Sequence, residues 1–145
     1  MQILEMQQSD LESVTSLAAQ LGYPDSLETI KARFAAIGKA EGHRLWVARL
    51  PDRGVVGWIH VNRTNQWLIE DPVAEVCSII VSDSYRREGV GAALLKKAED
   101  WATENGLGIK LYTNAKREKA HRFYEHSGFT LKKVSHVYIK AALKE

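Results

Sequence analysis

Apolar residues along this chain alternate between a helical and an extended rhythm. Leu11, Val14, Leu17, Ala18 and Leu21 recur at helical spacing behind a capping-box pattern, Ser9-Asp10-Leu11-Glu12, and Gly22 closes the segment. A second helix is expected from a Ser26 cap, with Leu27, Ile30, Phe34 and Ile37 on one face and Gly38 at its end. Residues 2–6 read as a short strand. Leu45 to Leu50 and Val55 to Val61 read as a hairpin about the turn Pro51-Asp52-Arg53-Gly54. The next strand lies within Trp67 to Val81, interrupted near Asp71-Pro72. A helix over 90–104, a strand over 107–113, a helix over 117–127 and a final strand from Phe129 to Ile139 complete the pattern. The order β-α-α-β-β-β-α-β-α-β predicts an α/β fold, a mixed sheet with helices on its faces. No repeat, low-complexity stretch or linker interrupts the 145 residues, so a single domain over 1–145 is expected.

Composition narrows the class. Hydrophobic residues at 45% and charged residues at 26% are the mix of a soluble globular protein. A net charge of +2 is too mild to predict nucleic acid as a partner. The lone cysteine, Cys77, excludes an internal disulfide and fits a reducing compartment. No apolar run approaches the roughly 18 residues of a membrane span, and the N-terminus lacks a basic segment followed by an apolar one. The expectation is a cytoplasmic protein with neither membrane nor nucleic acid as partner. The histidines His43, His60, His121, His126 and His136 lack zinc-ligand spacing, so no metal is expected.

The chemistry is concentrated after the apolar run Val76 to Val81. There Arg86-Arg87-Glu88-Gly89-Val90-Gly91-Ala92 opens a helix-like segment. A strand, a basic glycine-bearing turn and a helix start make an anion socket. Unpaired N–H groups point outward there, and the helix dipole adds about half a positive charge. Gly89 and Gly91 let a phosphate approach the backbone, and the two arginines add forked donors. The spacing is wrong for a P-loop, because Ala92-Ala93 follows Gly91, and wrong for a dinucleotide fingerprint. Taken alone, the turn fits a phosphate socket or a plain tight turn.

A second constellation follows. Strand 107–113 runs into Asn114, and the next helix carries Ala120-His121-Arg122-Phe123-Tyr124-Glu125-His126-Ser127-Gly128-Phe129. With both motifs in this order, the chain resembles the GNAT superfamily of acetyl-coenzyme A-dependent N-acetyltransferases. The motifs cover about the C-terminal half, and the element order fits nearly the whole chain. One departure is visible: many members place Asn where Arg117 stands, and Arg117 is read as a solvent-facing residue.

The resemblance implies a GNAT-like mixed sheet of about six to seven strands, flanked by about four helices, with a splayed V-shaped cofactor cleft. It implies acetyl-coenzyme A as co-substrate. Arg86, Arg87, Glu88, Gly89, Val90, Gly91 and Ala92 would hold its pyrophosphate, with Asn114, Ala120, Phe123 and Tyr124 completing the cofactor site. The pantetheine arm would pair with the backbone of Ile79, Ile80 and Val81 like an added strand, a bulge helping to splay the sheet. Glu75 would take a proton from an amine acceptor, and Tyr124 would serve the leaving sulfur. Cys77 shares strand parity with Glu75, so an acetyl-cysteine is conceivable, but a lone strand cysteine is more often a small core residue. Tyr23, Asp25, His60, Asn62, Glu70 and Asp71 are candidate acceptor contacts. The acceptor expected is a small-molecule amine. A protein terminus or lysine, and a non-catalytic acyl-coenzyme A sensor, stay open as alternatives. Dimers are common among relatives, so a homodimer is an allowed assembly.

Overall fold

The structure is a computed structural model that describes residues 1–68 and 70–142. The chain divides into two compact units, Met1–Tyr112 and Thr113–Glu145. The first unit contains strands β1 (Gln2–Glu5), β2 (His43–Leu50), β3 (Gly54–Thr64), β4 (Val73–Val81) and β5 (Gly108–Leu111). It also contains helices α1 (Leu11–Gln20), α2 (Leu27–Gly38) and α3 (Val90–Glu104). The strands form one sheet in chain order, antiparallel from β1 to β4 and parallel between β4 and β5.

The expected periodicities account for these elements. Leu11, Val14, Leu17 and Ala18 are the buried stripe of α1. Met6, Leu11, Val14 and Val47 form a core on that face of the sheet, where Leu27, Ile30 and Phe34 of α2 pack with Leu45, Val55 and Trp58. On the other face α3 buries Val90, Leu94, Leu95, Ala98 and Ala102. Trp101 of α3 meets Trp46 of β2 edge-on, with ring centroids 6.2 Å apart. Ser26 caps α2, its hydroxyl accepting the Thr29 N–H at 3.1 Å.

Three local expectations are corrected. The α1 entry is not capped by Ser9; the Asp10 carboxylate instead accepts the Gln7 N–H at 2.7 Å and pairs with Arg49. Asp10 is buried, so the core-facing ion pair outweighs the local box. The 67–81 run shortens to β4, which starts after Pro72; Ile69 lies outside the described residues. Five strands are present among the described residues rather than six or seven, because 129–142 forms neither strand nor helix. The alternation from Phe129 to Ile139 encodes a preference, but a strand exists only through a laddered neighbour.

The second unit holds α4 (Glu118–His126). Ala120, Phe123 and Tyr124 stand at i, i+3 and i+4, and all three are half-buried.

Candidate functional site

Strand β4 carries an irregularity that shapes the site. Val61 of β3 faces Val76, but His60 faces Ser78, so Cys77 is an extra residue without a partner on β3. The parallel ladder to β5 ends one residue earlier, at Val76–Leu111. Among the described residues, β4 is paired with β3 alone from Ser78 to Val81. The bulge and the end of the ladder therefore coincide, and β4 leaves β5 as expected for a splayed sheet.

The free edge has a defined hydrogen-bonding parity. The Ser82 N–H donates to the Val56 carbonyl at 2.8 Å, which makes Val56–Ser82 a hydrogen-bonded pair. Such pairs alternate in an antiparallel ladder, so Trp58–Ile80 is also bonded, whereas Val81 and Ile79 turn their N–H and C=O groups away from β3. The open edge thus offers the backbone of Ile79 and Val81. Ile80, expected alongside them, aims its carbonyl at β3 instead. Gly57 of β3 confirms that direction, because a Cβ there would lie 2.6 Å from the Ile80 carbonyl oxygen and 3.4 Å from Cγ1 of Val90. Gly57 was missed in the sequence, although a glycine inside a strand is a recognised sign of close backbone approach.

Beyond β4, Asp83–Tyr85 make one 3-10 turn and the 86–89 turn leads into α3. Gly89 caps that helix in the left-handed region at φ 82°, and Arg87 is left-handed at φ 67°. The Ala93 N–H makes the first helical bond, to the Gly89 carbonyl at 3.0 Å. No side chain caps the helix among the described residues, so the amides of Val90, Gly91 and Ala92 face forward as donors. Val90 is buried and anchors the helix start, whereas Arg86, Arg87, Glu88, Gly89 and Ala92 are exposed. Arg86 pairs with Asp83 at 2.9 Å. Exposed pairs of this kind contribute about 0–1 kcal/mol, so a diphosphate can displace Asp83 at little cost.

The opposite face of the sheet carries a polar row. His43, Asn62, Glu75 and Lys110 are register partners across β2, β3, β4 and β5, so their side chains share one face. Glu75 is half-buried, and its Oε2 lies 3.9 Å from the Cys77 sulfur. Partial desolvation and the Glu75 charge push the Cys77 thiol up to about 11. Cys77 is exposed on the bulge rather than a core residue, and its thiol stays protonated at neutral pH, which weighs against a resting thiolate nucleophile. Lys110 donates to Glu70 at 2.8 Å, and that bond is the main reason its pKa is raised. Among the remaining acceptor candidates, Asp25 is bound by Arg33 at 2.8 Å, Tyr23 is exposed, and His60 lies on the same face as Asn62. Asp71 is exposed in the loop before β4.

In the second unit, Asn114 organises the entry to α4. Its Oδ1 accepts the Lys116 N–H at 2.9 Å, and its carbonyl accepts the Arg117 N–H at 3.0 Å. Tyr124 packs against Phe123 and Phe129, with centroids 5.4 and 6.0 Å away. Burial raises its pKa and the Arg117 charge lowers it. Arg117 is exposed as expected, yet it is also an electrostatic neighbour of Tyr124, a role its position in the sequence did not reveal. The net effect keeps the phenol protonated at neutral pH. No three His, Cys, Asp or Glu side chains cluster as metal ligands among the described residues. No helix there is long and apolar enough to cross a membrane.

Strand β4 parts from its parallel neighbour and then feeds a glycine turn at a helix start, which sets a free strand edge beside an anion-binding helix N-terminus in an α/β fold. Residues 5–129 match the acetyltransferase (GNAT) family, and the chain belongs to it. It is 36% identical over 81 residues to streptothricin acetyltransferase of Escherichia coli, which covers 55% of this chain and 44% of that protein. It is 38% identical over 58 residues to the uncharacterised N-acetyltransferase YhdJ of Bacillus subtilis (strain 168), covering 39% and 41%. The matched part of the chain thus spans less than half the length of these curated relatives. In fold it is similar to AAC(6')-Iy in complex with the bisubstrate analog CoA-S-monomethyl-acetylneamine, with a TM-score of 0.83 and 21% identity over 97% of this chain and 98% of that one.

Proposed function

We propose that this chain, residues 1–145, works as one N-acetyltransferase domain that moves an acetyl group from acetyl-coenzyme A to a small-molecule amine. The observation that carries the reading is the parting of β4 from β5 after Val76, which leaves the outward backbone of Ile79 and Val81 without a ladder partner among the described residues and leads into the Gly89 turn. The coenzyme supplies the activated thioester. Ile79 and Val81 add its pantetheine arm to the sheet edge. Val90, Gly91 and Ala92 N–H groups, with Arg86 and Arg87, bind the pyrophosphate. Asn114, Ala120 and Phe123 complete the cofactor contacts that the family resemblance assigns.

Glu75 accepts a proton from the ammonium acceptor, leaving a nitrogen lone pair to attack the thioester carbonyl. A backbone N–H of the free edge bonds the carbonyl oxygen as negative charge develops on it. As the carbon–sulfur bond breaks, the protonated Tyr124 gives its proton to the departing sulfur. The second nitrogen proton, acidic once the carbon–nitrogen bond has formed, leaves through water and reprotonates Tyr124, so the products are an acetamide, the coenzyme thiol and the one proton taken by Glu75. A small cationic acceptor is supported by the streptothricin acetyltransferase likeness and by the carboxylates of half-buried Glu75 and exposed Asp71. A thiol-release assay over aminoglycosides, polyamines, amino acids and lysine peptides tests this. Turnover confined to peptides would move the acceptor to protein. Acetyl-coenzyme A binding without any turnover would make the domain a sensor.

A further inference from the structure

The acceptor face holds a pair of residues that the steps above do not use. His43 and His60 are diagonal neighbours on β2 and β3, since His43 faces Asn62 and Leu45 faces His60. Nδ1 of His43 and Nε2 of His60 are 2.8 Å apart, and the rings stack with centroids 5.1 Å apart and planes 23° apart. Both residues are half-buried. A separation of this kind needs one N–H and one lone pair. Two imidazolium rings have N–H groups at every nitrogen and cannot make it, so the pair holds at most one added proton. Burial, and then the proximity of His43, make His60 a weaker base than a free histidine. Among the described residues the charged groups on this face include Glu75 of β4, Lys110 of β5, bound to Glu70, and Arg49 of β2, bound to Asp10; Arg33 of α2 is bound to Asp25.

The need for such a pair follows from the proposed reaction, on which this inference rests. An alkylammonium near pKa 10.4 gives its proton to a carboxylate near 4.3 only uphill, by roughly six units; an imidazole near 6.5 lessens the gap by about two. We infer that the hydrogen-bonded His43–His60 pair, on the same sheet face as Glu75, relays to water the proton that a primary ammonium acceptor must lose. The N–H bond of the ammonium breaks and its electron pair stays on nitrogen. The proton passes by Glu75 or a water to the imidazole lone pair. The pair goes from neutral to monocation and then returns the proton to bulk water.

The test uses the full chain, acetyl-coenzyme A and neamine, or whichever amine of the panel is turned over. His60→Gln is expected to lower kcat about tenfold at pH 7 and to flatten the acidic limb of the pH–rate profile. His43→Phe keeps a ring against His60 but removes the hydrogen bond and the opposing charge. It should move that limb to higher pH. Both should leave acetyl-coenzyme A affinity unchanged, and added imidazole should partly restore His60→Gln. Variants with the wild-type kcat and limb overturn the relay. An acceptor-free measurement covers variants that fold poorly: the His60 imidazole resonances of the wild type should titrate below the usual histidine range. Titration of His60 at the ordinary value overturns the inference as well. A wild type that neither binds acetyl-coenzyme A in calorimetry nor releases thiol overturns the proposed function instead, so the two failures are distinct.

Discussion

Replacing Gly57 by alanine is the sharpest perturbation of the free edge that leaves every ligand-contacting residue in place. The new Cβ would stand 2.6 Å from the Ile80 carbonyl oxygen, 3.3 Å from Cα of Val81 and 3.4 Å from Cγ1 of Val90. Relieving the first contact to an ordinary separation requires β3 and β4 to move apart by roughly 0.7–1 Å, because both sides are backbone. Overpacking of this kind typically costs about 1–3 kcal/mol. In a chain of this size that corresponds to a fall in Tm of roughly 3–10 °C. The movement falls on Ile80–Val81 and on Val90, which carry the sheet edge and the first turn of α3. Hydrogen bonds to the pantetheine contribute about 0.5–1.5 kcal/mol each, so misplacing one or two should weaken acetyl-coenzyme A binding about tenfold. Calorimetry and a melting curve on the same samples measure both effects. A variant that melts lower but binds the coenzyme as tightly as wild type would refute the edge as its binding surface. One unchanged in both would refute the packing argument itself.

Three further outcomes are expected. Gly89→Val puts a β-branched residue at φ 82° and should weaken acetyl-coenzyme A binding at least tenfold while the α3 core holds; unaltered affinity would remove the socket. Arg117→Gln removes the charge that lowers the Tyr124 pKa, so the alkaline limb of kcat should move to higher pH, and Tyr124→Phe should lower kcat more than coenzyme affinity. Cys77, with its thiol pushed up to about 11, should react with iodoacetamide at pH 8 roughly 100-fold more slowly than an unperturbed thiol, and Glu75→Gln should speed it. Alkylation at the ordinary rate would contradict the desolvation of the thiol, and a rate unchanged in Glu75→Gln would place Glu75 away from the sulfur.

Much of the framework was legible in the residues. Helix α3 begins and ends where its apolar spacing and glycine turn put it, and β4 begins after Pro72 because proline cannot join the ladder. The motifs at Arg86–Gly91 and Ala120–Phe129 supplied the family that the comparison over residues 5–129 bears out. The β pattern of residues 129–139 misled, since alternation says nothing of whether a neighbouring strand is available.

Local spacing determined the helices, the strands up to β5 and the glycine turn by itself, because these depend on residues a few positions apart and on backbone freedom. Register and strand parity were decided only in the tertiary structure. Which backbone groups face the open edge depends on the extra residue at Cys77 and on where β5 stops, so Ile79 and Val81 are offered and Ile80 is not. The pairing of His43 with His60, of Asp10 with Arg49 and of Glu70 with Lys110 joins residues far apart in the chain. No periodicity encodes such contacts; they arise when burial of the apolar faces fixes one strand against the next.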